Sequence, residues 1–145
     1  MFVTWSYINK AVSNTATMPE VLRLTVRAAM VTGPILIVLA LLPMVPWNIN
    51  GKLMSGREAW ASGFAPLLIA WLLLVSFAAW GIALRSSRGR WVAVALPVAS
   101  LVLAVRAASV DVVDVAVSTG MAALMYGYLF HAPAVRRYFA GEAEK

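Results

Sequence analysis

Three ionisable residues could take part in proton or ion transfer: Arg106, Asp111 and Asp114. They lie close together in the sequence, between two apolar segments. Ionisable side chains in such a place often mark a proton or ion pathway through a membrane. A structural interpretation is favoured, because Asp111 at a helix N-cap and Asp114 three positions later would both meet the positive end of the helix dipole. The arginine would then extend towards water and pair with one carboxylate. We interpret the three residues as a polar cluster on an external face.

No second pattern in the sequence suggests catalysis or metal binding. The chain has no cysteine and one histidine, His131, which excludes a thiolate nucleophile and a multi-histidine metal site. Ser118 and Thr119 have no accompanying base, so we expect them to form hydrogen bonds between helices. Glycine-rich phosphate loops and zinc-protease motifs are absent from the sequence. We therefore expect a protein that is not an enzyme and that holds neither a cofactor nor a metal.

The composition indicates a membrane protein. Hydrophobic residues make up 62% of the chain and charged residues 12%, whereas soluble domains have roughly 45–50% and about 25%. A soluble domain of 145 residues has too much surface for its volume to bury so many apolar side chains. The net charge is +6, and the basic residues lie at the ends of apolar segments. This placement favours a role in membrane orientation over nucleic-acid binding. The lipid bilayer is therefore an expected partner and nucleic acid is not.

Four segments are long and apolar enough to cross a membrane. A helix needs about 20 residues to span the hydrocarbon core, and the spacing of charges predicts four such helices, at 28–47, 60–84, 91–109 and 113–131. The third qualifies only if Arg106 lies within its last turn. The expected fold is an all-α, four-transmembrane-helix bundle over 18–139. An interfacial or disordered segment is expected at 1–17 and a flexible cytoplasmic tail at 140–145.

Lysine and arginine residues predict the orientation of these spans. Nine of them fall on one side of the four-span layout: Lys10, Arg23, Arg27, Arg85, Arg88, Arg90, Arg136, Arg137 and Lys145. The other side carries Lys52, Arg57 and Arg106. Because positively charged loops stay in the cytoplasm, both termini are predicted to be cytoplasmic, and His131 closes the last span on the same side.

The connection "WNINGKLMSGREAW" at 47–60 predicts a turn more than a binding site. Asn50-Gly51 is a strong signal for a small β-hairpin, because both positions accept positive φ. Ser55 and Glu58 have the spacing of a capping box at the start of the next helix. Trp60 would follow at the depth of the membrane interface.

A second capping-box pair precedes the first span. Thr17 and Glu20 have the required spacing, and Pro19 lies between them, so the first helix is predicted to begin near Met18. Gly33-Pro34 is a site where that helix can kink, because proline removes one backbone hydrogen bond.

Small residues mark a helix-packing face on the fourth span. Ala116, Gly120, Ala123 and Gly127 are spaced four, three and four positions apart, which places them on one side of a helix. A neighbouring helix can approach such a face closely. Packing within the bundle is the favoured interpretation, and dimerisation through this face is the alternative.

The C-terminal sequence "YGYLFHAPAVRRYFAGEAEK" resembles the end of small uncharacterised bacterial inner-membrane proteins. The shared features are Leu-Phe at the end of the last helix, then Pro133, Val135, Arg136, Tyr138 and Phe139. An outer loop of the "NG…SG.E" kind and an arginine-rich turn such as "RSSRGRW" extend the resemblance over most of the chain. It implies a bacterial four-helix inner-membrane protein and no particular activity.

Two functions are compatible with these features. The first is a non-catalytic membrane protein that serves as an accessory or interaction subunit of a larger membrane assembly, with a membrane-protein partner or a second copy of itself. The alternative is a small oligomeric transporter or channel, whose shared pathway would be lined by Arg106, Asp111 and Asp114. A lipid-modifying enzyme has no supporting residues, since no base and nucleophile are paired.

Overall fold

The computed structural model describes residues 2–49, 52–107 and 111–141, which form seven helices and one β-hairpin. In chain order the elements are α1 (Phe2–Ala16), α2 (Glu20–Leu41), β1 (Trp47–Ile49), β2 (Lys52–Met54), α3 (Gly56–Ala61), α4 (Phe64–Ala83), α5 (Ser87–Ala107), α6 (Val112–His131) and α7 (Pro133–Ala140). The helices α2, α4, α5 and α6 are long and apolar enough to cross a membrane. The predicted all-helical fold, with four candidate spans and a small hairpin, is confirmed at this level.

The four long helices pack in a row rather than in a closed ring. Helix α4 lies between α2 and α5, and α5 also packs against α6. No comparable packing joins α2 to α6 in the described part of the chain. The buried core lies at the end where α1 and α7 join the long helices, and it includes Met18, Val26, Ala79, Val135 and Tyr138. Helix α6 is therefore attached along one side only.

The first long helix begins close to the predicted start near Met18, but it ends earlier than the predicted span of 28–47. Helix α2 covers Glu20–Leu41 and continues through Gly33-Pro34. It stops at Leu42, which is extended at φ −86° and ψ 112°, because Pro43 disfavours helical backbone in the residue before it. The predicted cap at Thr17 is wrong. That hydroxyl donates to the Asn14 carbonyl at the end of α1 (2.9 Å), and α2 starts without a side-chain cap.

The second predicted span, 60–84, corresponds to α4, which starts later, at Phe64, after the separate short helix α3. Helix α3 ends at Ala61, and α4 starts at Phe64 after Gly63, whose φ of +78° interrupts the helix. Pro66 lies in the first turn of α4 and has no N–H to donate to the Ser62 carbonyl, so a continuous helix would lack that bond. Glycine accepts the left-handed conformation at little cost.

The predicted hairpin and the second capping box are both confirmed. Strands β1 and β2 pair antiparallel with Trp47 opposite Met54, while Asn50 and Gly51 at the turn lie outside the described residues. The Ser55 hydroxyl accepts from the Glu58 N–H (3.3 Å), and the Glu58 carboxylate accepts from the Ser55 N–H (2.8 Å).

Trp60 connects this loop to the first span. Its indole Nε1 donates to the Ala40 carbonyl at 3.2 Å, in the last turn of α2. A helix end has carbonyls without partners inside the helix, and the indole satisfies one of them. Gly56 holds the loop from the other side, because a Cβ there would overlap the Pro43 carbonyl.

The N-terminal segment, predicted to be interfacial or disordered, is helical from Phe2 to Ala16. It packs against α2 and α4, and it buries Ala11 and Thr15. At the other terminus, α7 reaches Ala140. The predicted flexible tail lies largely outside the described residues, which end at Gly141.

Helices α4 and α5 approach each other most closely beside their connecting turn. A Cβ on Gly89 would lie 2.5 Å from the carbonyl carbon of Gly81 and 2.7 Å from its Cα, so only glycine fits at this crossing. Arg85 reverses the chain there with a left-handed φ of 58°. The backbone contact fixes the angle at which α5 leaves the turn.

We expect Gly89→Ala to destabilise the protein by about 1–3 kcal/mol, because the added methyl group must push two helix backbones apart. Thermal unfolding in detergent measures this loss. The matched control is Gly120→Ala on α6, where an added Cβ meets nothing within 4 Å. Equal unfolding temperatures for the two variants would contradict the close crossing.

Candidate functional site

Asp111 and Asp114 form the cap of α6. The Asp111 Oδ1 accepts from the Asp114 N–H at 2.9 Å, and the Asp114 Oδ2 accepts from the Asp111 N–H at 3.1 Å. The predicted N-cap role is confirmed, so both carboxylates satisfy backbone donors at the positive end of the helix. The side chain of Arg106 and residues 108–110 lie outside the described part of the chain, so the polar cluster of these three charges stays a prediction.

The small-residue face of α6 points away from the rest of the chain. Ala116, Gly120 and Ala123 are exposed, and Gly127 is half-buried. A Cβ built on either glycine would meet nothing within 4 Å. Packing of this face within the bundle, the favoured prediction, is therefore wrong for the described residues. Dimerisation through this face stays a prediction.

Helix α6 instead contacts α5 through its opposite face. The less exposed side chains recur at four-, three- and four-residue spacing, at Ser118, Ala122, Met125 and Leu129. At 100° per residue this stripe lies about 180° around the helix from the small residues. Met125 and Leu129 are the large side chains of this stripe, while Ser118 and Ala122 continue it towards the start of α6.

A cluster of hydrogen bonds closes the other end of the molecule, around the last carbonyls of α4. The Tyr138 hydroxyl donates to the carbonyls of Ile82 (3.0 Å) and Ala83 (3.2 Å). The Asn14 amide donates to the Ala83 carbonyl at 2.9 Å. The Ile82 carbonyl also accepts from the Arg85 N–H (2.9 Å), whereas the donors to the Ala83 carbonyl come from α1 and α7, which thus satisfy the last acceptor of α4.

Arg85 lies above this cluster and connects three helices. Its guanidinium donates to the Thr17 hydroxyl (3.2 Å) and lies 4.9 Å from the centre of the Tyr138 ring. Burial raises the pKa of the Tyr138 hydroxyl to about 12, against the opposing effect of the Arg85 charge. The hydroxyl therefore stays protonated and remains a hydrogen-bond donor at neutral pH.

Arg90 is held between two aromatic rings. Its Cζ lies 4.6 Å from the ring centre of Phe130 and 4.2 Å from that of Phe139. The Nε atoms of both Arg85 and Arg90 are buried without a hydrogen-bond partner in the described structure. Stacking holds the guanidinium plane of Arg90, and no described carboxylate neutralises it.

An apolar crevice of about 300 Å³ opens between α2 and α6. The floor is formed by α4 and α5, and the lining includes Val26, Ala29, Ala79, Ala93, Met125 and Leu129. Thr25 and Tyr128 carry the only hydroxyls in the lining, and the Thr25 hydroxyl donates to its own helix. The crevice suits an apolar group and offers no polar pathway.

The sequence predicts a polar cluster at the acidic pair and no site at the arginine-rich end. In the sequence, Arg85 and Arg90 serve only as charges that predict orientation. The aromatic residues Phe130, Tyr138 and Phe139 are the sequence feature that could have indicated this site, since arginine favours aromatic faces. Nothing in the local sequence indicates that Asn14 contacts α4.

Among the residues that the structure describes, no group of three or more His, Cys, Asp or Glu side chains is placed to hold a metal ion. Comparison with protein-family models, with curated proteins and with solved structures gives no match. The function is therefore inferred from the geometry of the chain itself.

We expect Tyr138→Phe to lower the free energy of unfolding by about 1–2 kcal/mol, because two buried carbonyls lose a shared donor. Thermal or denaturant unfolding in detergent measures the change. Tyr126→Phe is the control, since Tyr126 is 40% exposed and its hydroxyl makes no hydrogen bond within the described structure. Equal stability of the two variants would show that the Tyr138 hydroxyl does not hold α7 on α4.

Proposed function

We propose that this protein is a non-catalytic integral membrane protein that serves as an accessory or interaction subunit of a larger membrane assembly. The observation that carries the proposal is the outward orientation of the small-residue face of α6. A span that presents small residues away from its own chain offers another helix a close approach.

Membrane insertion is supported by the apolar side chains on the surface of the four long helices. Leu24, Leu73, Val102 and Leu124 are between 55% and 75% exposed, one on each of α2, α4, α5 and α6. In water each exposed apolar area carries a cost of roughly 25 cal/mol per Å². Lipid removes that cost, and the lengths of these helices match the hydrocarbon core.

The proposed location is the bacterial inner membrane, with both termini in the cytoplasm. Helices α1 and α7 and the turn at Arg85 meet at one end of the molecule, where most of the basic residues lie. The hairpin and the start of α6 lie at the other end. The positive-inside rule assigns the basic end to the cytoplasm, and the resemblance of the tail and the turn supports a bacterial origin.

A partner helix is the proposed occupant of the outer face of α6. Only Leu129 of this helix is buried, so most of its surface is available to a second membrane protein or to a second copy of this chain. The transporter alternative is less well supported, since the crevice is apolar and both acidic side chains cap α6.

Single cysteines at Asn48 and Ser87 are expected to react with a membrane-impermeant maleimide from opposite sides of sealed vesicles. Both residues are exposed, at opposite ends of the molecule, and the native chain has no cysteine to interfere. Labelling in right-side-out and inverted vesicles provides the comparison. Modification of both cysteines from the same side would refute the four-span orientation.

Gly120→Leu is expected to remove co-purifying partners or to convert an oligomer to a monomer in mild detergent. The added side chain would hold a partner helix away from the face that glycine leaves open. Cross-linking in membranes, followed by size-exclusion chromatography, measures the assembly. Met121→Leu serves as the control, because Met121 is 52% exposed and lies beside the face rather than in it.

The wild-type result decides the proposal as well. A wild-type chain that runs alone after cross-linking in native membranes would overturn the role of interaction subunit. Assembly that is equally strong in the Gly120→Leu variant would leave the partner but exclude the small-residue face of α6 as its binding surface.

A further inference from the structure

The apolar crevice between α2 and α6 lies next to the arginine-rich end. Ala93 in its floor is one helical turn after Arg90 on α5. Leu129 in its wall immediately precedes Phe130, whose ring lies 4.6 Å from the Arg90 guanidinium carbon. A molecule that fills this part of the crevice and continues towards the end of the helices therefore comes close to Arg90.

The charge at this end is strongly one-sided. The described basic residues here are Lys10, Arg23, Arg27, Arg85, Arg88, Arg90, Arg136 and Arg137, and Glu20 is the acidic residue among them. Phe130 and Phe139 both lie against the Arg90 guanidinium, but neither ring accepts a conventional hydrogen bond, and the Arg90 Nε has no hydrogen-bond partner in the described structure. The N–H donors of Arg90 suit the oxygens of a phosphate.

We propose that this site binds one anionic phospholipid, with an acyl chain in the crevice and its phosphate beside Arg90. The proposal rests on the membrane insertion argued above. The crevice suits an acyl chain because no charged side chain lines it. Its volume of about 300 Å³ is at the lower end of the range for ligand pockets. Charge complementarity selects an anionic headgroup over a zwitterionic one, because the basic side chains here outnumber the acidic ones.

A phospholipid accounts for both the apolar crevice and the basic surface beside it, whereas a free phosphate ion accounts only for the basic surface. A phosphate ion would occupy the basic surface and leave the crevice unfilled. A phospholipid fills the apolar volume and supplies the anion at its end. Native mass spectrometry, which counts bound lipids by mass, distinguishes these possibilities on the full-length protein.

The test adds equal amounts of phosphatidylglycerol and phosphatidylcholine to protein in a neutral detergent. We expect phosphatidylglycerol to be retained about fivefold over phosphatidylcholine, the factor expected for one arginine near a membrane surface. Inorganic phosphate in excess should not displace it. Displacement by phosphate, or equal retention of the two lipids, would overturn the proposal.

Two matched pairs of variants locate the site. Arg90→Gln should abolish the preference, whereas Arg88→Gln removes the same charge from an exposed position on the same turn and should retain it. Ala29→Phe should reduce retention of both lipids by filling the crevice, whereas Ala28→Phe, on the exposed neighbouring position, should not. Loss of preference in the Arg88 variant alone would contradict the assignment to Arg90.

Folding and insertion are controlled separately. Arg90→Lys keeps the charge, so it should keep most of the lipid preference even if Arg90→Gln does not fold. Extraction of membranes with alkaline carbonate tests insertion itself. Release of the chain into the carbonate supernatant would refute the proposed function, whereas an inserted chain without lipid preference would refute only the lipid site.

Discussion

The hydrogen bonds at the end of α4 hold both terminal helices in place. A helix that stops inside a protein leaves carbonyl acceptors that lose water without gaining a partner, and each such group costs about 1–3 kcal/mol. Here the donors come from two distant helices, through Asn14 of α1 and Tyr138 of α7. Both helices are therefore fixed to the same short segment of α4, although they lie at opposite ends of the chain.

These hydrogen bonds at the end of α4 also affect the direction of α5 and the surroundings of Arg85 and Arg90. Because α4 ends at Ala83, Arg85 can turn the chain in a left-handed conformation and bring Gly89 against Gly81. Helix α7, held by the same cap, places its Phe139 ring on Arg90. The basic end thus combines a rigid backbone crossing with guanidinium groups that are oriented by aromatic rings rather than by carboxylates.

The opposite end, which carries the hairpin and the start of α6, is built from local contacts instead. The capping boxes at Ser55 and Asp111 each use residues three positions apart, and the hairpin pairs neighbouring strands. The Trp60 bond to Ala40 is the longer-range contact in this region. Helix α6 begins with such a local cap and buries only Leu129 near its far end. A span held so loosely by its own chain is suited to contact lipid or another protein, which is the physical basis of the proposed role.

Features that depend on neighbouring residues can be predicted from the amino-acid sequence. The length of apolar segments indicated four spans, and three-residue spacings predicted the capping boxes at Ser55 and Asp111, because these interactions close within one helical turn. The same reasoning failed at Thr17, whose hydroxyl is drawn into the end of α1 and the contact with Arg85. The spacing of two residues in the sequence does not show which of two competing hydrogen-bond partners a side chain binds.

Which helix surfaces meet follows from the packing of the folded chain and not from local sequence. The small residues of α6 lie on one side of the helix, but that side faces away from the chain, and Met125 and Leu129 on the other side line the crevice beside α5. The hydrogen bond from Tyr138 to Ile82 joins residues 56 positions apart, and that from Asn14 to Ala83 joins residues 69 apart. Contacts at such separation depend on how the helices pack, because no local energy term links the two partners before the chain folds.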